Sequence, residues 1–125
     1  MKREIVLITG GSKGYGAGIA EVLTAAGAKV WITGRDRGAL EATAQRLGVR
    51  AVPADATSPA DWDRVIDAIL QEDGRLDVLV NNAGGGIRIA PMTEQTDEAI
   101  AQIIALNLTG PLLGCRRAAR VMARQ

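Results

Sequence analysis

The chain has 125 residues, a formal net charge of +1 and 47% apolar residues, and it contains no histidine. The length fits one domain, because chains of this size bury roughly two-thirds of their unfolded surface. The interspersed charges exclude a block that would bind nucleic acid or an anionic membrane by electrostatics. Without histidine, a Ser-His-Asp triad and a histidine-based zinc site are excluded, and we expect no bound metal.

Cysteine content and hydropathy indicate the compartment. The single cysteine, Cys115, cannot form a disulfide within the chain. The apolar stretch at residues 5–8 is too short for the core of a signal peptide. Later apolar runs are interrupted by Gln102 and Asn107, below the roughly 18 residues that a membrane span needs. We therefore expect a cytoplasmic protein.

Short apolar runs alternate along the chain with segments of helical length. The runs predict strands at residues 4–9, 29–33, 49–54 and 77–81. This alternation predicts right-handed βαβ units, and therefore an α/β fold in which helices flank a parallel sheet. Because the chain has no Phe, we expect an aliphatic core, which suits parallel strands covered on both faces.

Capping residues place the helices between these strands. Asp36 can cap a helix that runs through residue 45. The segment 58–61 is a stronger start signal, because Ser58 can accept an N–H, Pro59 suits the first helical position and Asp61 can reach back. Glycines stand where C-terminal caps belong, at Gly27 and Gly48.

The last segment, residues 96 to about 124, predicts a long helix. Its apolar side chains recur at helical spacing and line one face: Ile100, Ile103, Ile104, Leu108 and Leu112. We expect Gly110 and Pro111 to bend this helix. The glycines at 84–86 predict a loop after the fourth strand rather than a domain boundary.

The first strand runs into a glycine-rich turn, and a helical pattern follows at residues 17–26. This order predicts a phosphate-binding turn, since glycines let the backbone approach a pyrophosphate and a helix N-terminus supplies unpaired N–H groups. A glycine-rich turn without a ligand is the alternative. The turn and its flanks contain Gly10, Ser12, Lys13, Gly14, Tyr15 and Gly16.

Two motifs resemble those of the short-chain dehydrogenase/reductase family. The family's TGxxxGxG pattern is matched by Thr9, Gly10, Gly14 and Gly16, and its NNAG signature by residues 81–84. The resemblance covers the whole chain. It implies a Rossmann-like parallel sheet of strand order 3-2-1-4, which is half of a doubly wound fold, with residues 1–125 forming a single NAD(P)-binding domain.

The resemblance also assigns residues to the cofactor. Asp55, with Ala56 beside it, matches the family's adenine-contacting acid, and Asn107 matches a helix asparagine with a supporting catalytic role. The nicotinamide side would be bounded by Asn82, Ala83 and Gly84. From the residues alone, Asn81 and Asn82 can instead be a turn pair that ties neighbouring strands, Asp55 a solvated loop acid and Asn107 a helix-bending polar residue.

Residues after the second strand bear on the choice of nicotinamide cofactor. Asp36, about 20 residues after Gly16, could bind the ribose hydroxyls of NAD, or could only cap its helix. Arg35 and Lys13 could bind the 2′-phosphate of NADP. We favour NADP over NAD. The alternative is that Arg35 and Lys13 are ordinary surface cations.

The chain departs from the family in its catalytic residues. Family reductases use a serine together with the tyrosine and lysine of a YxxxK motif, and this chain has no such motif. Its only tyrosine, Tyr15, replaces a small apolar residue in the glycine turn, where we expect it to cover the turn rather than stack on the cofactor. The resemblance therefore implies a domain truncated before its catalytic segment, which binds nucleotide but is inactive alone.

In the order 3-2-1-4 the fourth strand is an edge, with an apolar helix beside it. We expect this edge to bind a second copy or a companion chain that completes an oxidoreductase acting on a carbonyl or alcohol substrate. Two alternatives are a self-associating half-fold without catalysis and a nucleotide-sensing module without redox chemistry.

Overall fold

Four parallel strands form one sheet. The structure, a computed structural model, describes residues 3–125 and has strands β1 (Ile5–Ile8), β2 (Lys29–Gly34), β3 (Arg50–Pro53) and β4 (Val78–Val80). Their order is β3-β2-β1-β4, and every neighbouring pair is parallel. The predicted α/β class and the strand order 3-2-1-4 are confirmed, and each strand lies within a residue of its predicted position at both ends.

The helices that connect the strands are α1 (Gly14–Ala25), α2 (Arg37–Leu47) and α3 (Pro59–Asp73). After β4 come a short 3₁₀ turn (Met92–Glu94), α4 (Asp97–Ile104), a π-helical segment (Ala105–Thr109) and α5 (Gly110–Met122). The predicted caps at Asp36 and Ser58 are confirmed, since each side chain accepts an N–H from the first turn of its helix. Gly27 and Gly48 have positive φ after α1 and α2.

One capping contact differs from the prediction. Asp61 does not reach back to Ser58, because the Ser58 N–H donates to the Asp55 carbonyl at 3.0 Å. The Asp61 carboxylate instead accepts the N–H of Asp55 at 2.8 Å. The first turn of α3 is therefore attached to the loop that precedes it.

Side chains of β1 alternate between two cores, one on each face of the sheet. Val6 and Ile8 pack with α1 and α2, whereas Ile5 and Leu7 pack with α3 and α5. The expectation of a purely aliphatic core is wrong on the second face. Both tryptophans are buried there, Trp31 at 5% and Trp62 at 3% exposure, because each indole N–H finds an acceptor at the edge of the core.

The predicted long helix is confirmed over Asp97–Met122, a continuous helical run of 26 residues. Thr96 caps it through its hydroxyl, which accepts the Ala99 N–H. The π-helical segment stands immediately before Gly110 and Pro111, where the missing proline N–H interrupts the α-helical hydrogen bonds. The irregularity at the position where we expected a bend is therefore a widened turn of π-helix.

This helical run has one packed and one open face. Gly114 on the packed face leaves room for Trp62, since a Cβ there would lie 2.4 Å from the indole ring. The predicted apolar face is exposed along its whole length: Ile100, Ile103, Ile104, Leu108 and Leu112. Although Gln102 and Asn107 interrupt its apolar residues, the helical run is long and apolar enough to cross a membrane by length and composition. We had not expected such a run from the sequence.

At the opposite end of the strands from the glycine turn, Asp73 joins α3 to β2. Its carboxylate, with a side chain only 6% exposed, accepts hydrogen bonds from Lys29 Nζ at 2.5 Å and Trp31 Nε1 at 2.7 Å. Both donors lie on β2, on the same face as α3. The contact therefore ties the C-terminal end of α3 to the sheet.

Asp73→Ala should lower the free energy of unfolding by about 1–3 kcal/mol, because it leaves the Trp31 N–H without its acceptor and the Lys29 ammonium with only its 3.9 Å ion pair to Glu72. A carboxylate at a helix C-terminus interacts unfavourably with the helix dipole, and its removal offsets only a few tenths of a kcal/mol of this loss. The measurement is urea unfolding followed by tryptophan fluorescence. Asp67→Ala, an exposed position on the same helix, is the control, and equal effects of the two substitutions would contradict this role of Asp73.

Candidate functional site

A cavity of about 480 Å³ lies at the carboxyl ends of the strands. Of the residues predicted to contact the cofactor, only Gly16 is outside the cavity lining. Asn107, which was predicted to have a supporting catalytic role, is also outside it. The predicted residues that line the cavity are Gly10, Ser12, Lys13, Gly14, Tyr15, Arg35, Asp55, Ala56, Asn82, Ala83 and Gly84. Leu106, from the π-helical segment, also lines the cavity and was not predicted. No local pattern distinguishes Leu106 from the other apolar residues of its helix.

Gly16 lies behind the cavity, where it brings α1 against the turn. A Cβ at Gly16 would lie 2.1 Å from the Gly10 carbonyl oxygen and 2.6 Å from Asn82 Nδ2, so no other residue fits. Gly10 and Gly14 have φ of 66° and 59°, a conformation that favours glycine. The turn geometry thus accounts for all three glycines of the first motif.

The N-terminus of α1 is open to a ligand. Lys13 occupies the N-cap position with an extended backbone, and its side chain makes no capping hydrogen bond. The N–H groups of the first helical turn therefore lack the acceptor that a Ser or Asp cap would supply. Together with the positive end of the helix dipole, they form a site that suits a phosphate.

The glycine turn and the NNAG motif are joined directly. Thr9 is buried, and its Oγ1 accepts the N–H of Asn82 at 3.2 Å and of Ala83 at 3.1 Å. The Asn82 side chain donates to the Gly10 carbonyl at 2.9 Å. Asn82 thus ties the end of β4 to the end of β1, as expected if it has a structural role in the turn. It also lines the cavity. The Asn81 side chain points elsewhere, to Cys115 Sγ on α5 at 3.3 Å.

Asp55 follows β3 and is half-buried. Its Oδ1 accepts the backbone N–H of Thr57 at 2.8 Å and the Thr57 hydroxyl at 2.7 Å. The backbone N–H is the larger cause that lowers the pKa of Asp55; burial opposes it, while the Thr57 hydroxyl and the positive charge of Arg35 lower the pKa further. The carboxylate is therefore ionised at neutral pH and can act as an acceptor.

The charged residues at the end of β2 differ in their partners. Asp36 Oδ1 accepts the Ala39 N–H at 3.1 Å, so this carboxylate is engaged as the cap of α2. Arg35 and Lys13 are exposed, and neither forms an ion pair with any residue in the range 3–125. The cavity rim thus has two cations without ion-pair partners among the described residues, and an aspartate whose carboxylate already caps α2.

Tyr15 and Asn107 lie differently from what we expected. The Tyr15 side chain is 90% exposed at the cavity rim, so it does not cover the turn. Asn107 lies outside the cavity lining, and its carboxamide binds the backbone of Gly85, accepting from N at 2.9 Å and donating to O at 2.8 Å. It therefore ties the π-helical segment to the loop after β4.

Neither a metal site nor the family's tyrosine–lysine pair accompanies this cavity within residues 3–125. Within residues 3–125, no group of three or more His, Cys, Asp or Glu side chains could hold a metal ion. Ser12 and Tyr15 are at the cavity, but no lysine stands four residues after the tyrosine. The chain thus provides a nucleotide cavity without a YxxxK pair.

A parallel sheet of order 3-2-1-4 with a glycine turn, an uncapped helix start and a cavity at the carboxyl ends of its strands is the arrangement of a Rossmann-type nucleotide-binding fold. A model of the short chain dehydrogenase family matches residues 4–125. The chain belongs to this family, which confirms the resemblance seen in its two motifs.

Known relatives are longer than this chain. Galactitol 2-dehydrogenase of Agrobacterium fabrum is 35% identical over 124 residues, which are 98% of this chain and 48% of that enzyme. A 3-ketoacyl-(acyl-carrier-protein) reductase from Brucella melitensis, solved with NADH, superposes with a TM-score of 0.93 at 33% identity, covering 98% of this chain and 51% of that one. The RhlG/NADP active-site complex of Pseudomonas aeruginosa gives 0.91 at 35%, covering 99% and 50%. The chain thus spans about half the length of these relatives.

Thr9→Val should lower the free energy of unfolding by about 1–3 kcal/mol, because the isosteric change leaves the Ala83 N–H without its acceptor and the Asn82 N–H with the Val80 carbonyl alone. The measurement is urea unfolding. Thr24→Val is the matched control, since the Thr24 hydroxyl is buried without a hydrogen-bond partner in the described part of the chain, and its loss should be neutral or stabilising. Equal losses at both positions would contradict the role of Thr9.

Proposed function

We propose that this chain is the NADP-binding portion of an oxidoreductase that transfers hydride between NADP(H) and a carbonyl or alcohol substrate. The observation that carries the proposal is the cavity at the carboxyl edge of the sheet, formed by both family motifs and bordered by unpaired cations. The chain alone is inactive in this proposal, because it has no YxxxK pair. Turnover by the pure chain would contradict it.

The pyrophosphate of the dinucleotide would lie against the first turn of α1. Gly16 supports this fit, since its missing side chain lets the helix start approach the turn, and Lys13 leaves the helix N–H groups uncapped. When bound, NADP(H) supplies the hydride or accepts it. The chain's own residues bind and orient the cofactor, and Asn107 holds the loop at Gly85 beside the NNAG motif.

Asp55 and Ala56 suit the adenine base. Asp55 Oδ2 and the Ala56 N–H carry no hydrogen bond to any residue of the range 3–125, although both residues line the cavity. A carboxylate acceptor next to a backbone donor complements the edge of adenine, which presents an amino group beside a ring nitrogen. The lowered pKa of Asp55 keeps the acceptor ionised.

NADP is preferred over NAD in this proposal because of the charges at the end of β2. Arg35 and Lys13 have no ion-pair partner among the described residues and line the same cavity, so a 2′-phosphate would neutralise charges that the protein leaves unpaired. Asp36, the acid that could bind the ribose hydroxyls of NAD, already caps α2. The structures of relatives with NADH and with NADP leave both cofactors open on family grounds.

The wild-type chain should bind NADPH at least about tenfold more tightly than NADH, and Arg35→Ser should remove most of that preference with little change for NADH. Isothermal titration calorimetry of both nucleotides measures it. Arg37→Ser, an exposed arginine on α2 outside the cavity lining, is the control and should keep the preference. Preference for NADH would contradict the role of Arg35, and binding of neither nucleotide would contradict the proposed function.

A partner at the open side of the sheet is also part of the proposal. β4 pairs only with β1 among the described strands, and the apolar face of the α4–α5 run is exposed beside it. Apolar surface next to an unpaired strand edge favours association. We propose that isolated chains pair through this side. In the complete oxidoreductase, a companion chain would cover it. We also propose that the protein is cytoplasmic.

In sedimentation velocity at micromolar concentration, the wild-type chain should form a dimer, and the double substitution Leu108→Lys and Leu112→Lys should give monomers, because charge would enter the apolar contact. Val22→Lys, at an exposed apolar position on α1, is the control and should leave the dimer intact. A monodisperse wild-type monomer would contradict self-association through this face.

A further inference from the structure

The start of α3 holds the loop that follows β3. Three side chains of its first two turns bind backbone groups of residues 53–56. The Asp61 carboxylate accepts the Asp55 N–H at 2.8 Å, Trp62 Nε1 donates to the Ala56 carbonyl at 2.8 Å, and Arg64 Nη2 donates to the Pro53 carbonyl at 2.6 Å. Side chains of α3 thus hold the last residue of β3 and two residues of the loop, Asp55 and Ala56.

Of these contacts, the one from Asp61 acts on Asp55, which lines the cavity. Asp61 occupies the third position of α3, where a carboxylate ordinarily returns to the N-cap residue. Here its Oδ2 binds the Asp55 N–H instead, and its Oδ1 lies 3.5 Å from Arg64 Nη2. The same arginine binds the Pro53 carbonyl, so the Asp61 carboxylate is itself held in place.

This attachment leaves a defined set of polar groups for a ligand. The Asp55 N–H is used by Asp61, the Asp55 carbonyl by Ser58, and Asp55 Oδ1 by Thr57. Asp55 Oδ2 and the Ala56 N–H have no hydrogen-bond partner in residues 3–125. Rotation of the Asp55 backbone would move both of these groups, and the hydrogen bond from the Asp55 N–H to Asp61 opposes that rotation.

We infer that Asp61 is a positioning residue for the nucleotide base: it holds the Asp55–Ala56 backbone so that one acceptor and one donor face the base. The inference rests on the proposed nucleotide binding and adds a residue that lies outside the cavity lining. Asp61 does not touch the nucleotide in this arrangement. It decides whether the site distinguishes adenine from bases with the opposite pattern of donors and acceptors.

The test compares NADPH with its reduced hypoxanthine analogue, which replaces the amino group by a carbonyl and places a proton on the neighbouring ring nitrogen. The analogue therefore mismatches both the Asp55 carboxylate and the Ala56 N–H. Calorimetry should show the wild-type chain binding NADPH about tenfold or more tightly than the analogue. Asp61→Ala should reduce that ratio to about twofold or less, chiefly by weakening NADPH binding.

Two further variants separate positioning from loss of structure. Asp61→Asn keeps an oxygen that can accept the Asp55 N–H, and it should restore most of the base preference. Asp63→Ala removes a carboxylate from the same helix, one that pairs with Arg117 away from the loop, and it should keep the wild-type ratio. If Asp61→Ala does not fold, as judged by circular dichroism, Asp61→Ser takes its place, since serine suits the first turn but is too short to reach Asp55.

The outcomes distinguish this inference from the proposed function. A folded Asp61→Ala or Asp61→Ser chain that keeps the base preference would overturn the positioning role while leaving nucleotide binding intact. Wild-type chain that binds NADPH and its analogue equally would overturn it too. Wild-type chain that binds no dinucleotide would overturn both.

Discussion

The hydrogen bonds between the ends of β1 and β4 are the contact on which the site depends. The buried Thr9 hydroxyl accepts two backbone N–H groups of the NNAG motif, and Asn82 returns a hydrogen bond to the Gly10 carbonyl. Gly16 then packs directly on that carbonyl, which sets the start of α1. The phosphate turn and the floor of the cavity are therefore one unit, and a change in either motif displaces the other.

Around this unit, the ligand that the cavity can bind depends on which charged side chains already have partners within the protein. Asp36 is committed to the cap of α2, and Asp61 to the loop before α3. Asp55 is ionised and keeps one carboxylate oxygen free of hydrogen bonds to residues 3–125, while Arg35 and Lys13 line the cavity without an ion-pair partner among those residues. A ligand that offers an amino-bearing base and more than one phosphate matches this pattern better than one that offers either alone.

The side of the sheet beyond β4 differs from the cavity in being apolar and exposed. There the edge strand and the apolar face of the last helical run are exposed together, whereas the packed face is closed by the contact of Gly114 with Trp62. Relatives twice as long share the fold of this chain over almost its entire length. In the function proposed above, the open side is where a partner would add the catalytic residues that this chain lacks.

The strands, their order through the family resemblance, the caps at Asp36 and Ser58 and most residues of the cavity lining could be predicted from the sequence, because they follow from local backbone preferences and from short motifs at strand ends. Only the tertiary structure decided that Asp61 binds the loop, that Leu106 reaches the cavity, and that both tryptophans enter the core. Each of these depends on which donor or space a neighbouring element brings within reach, and that is set by packing between elements rather than by any local pattern.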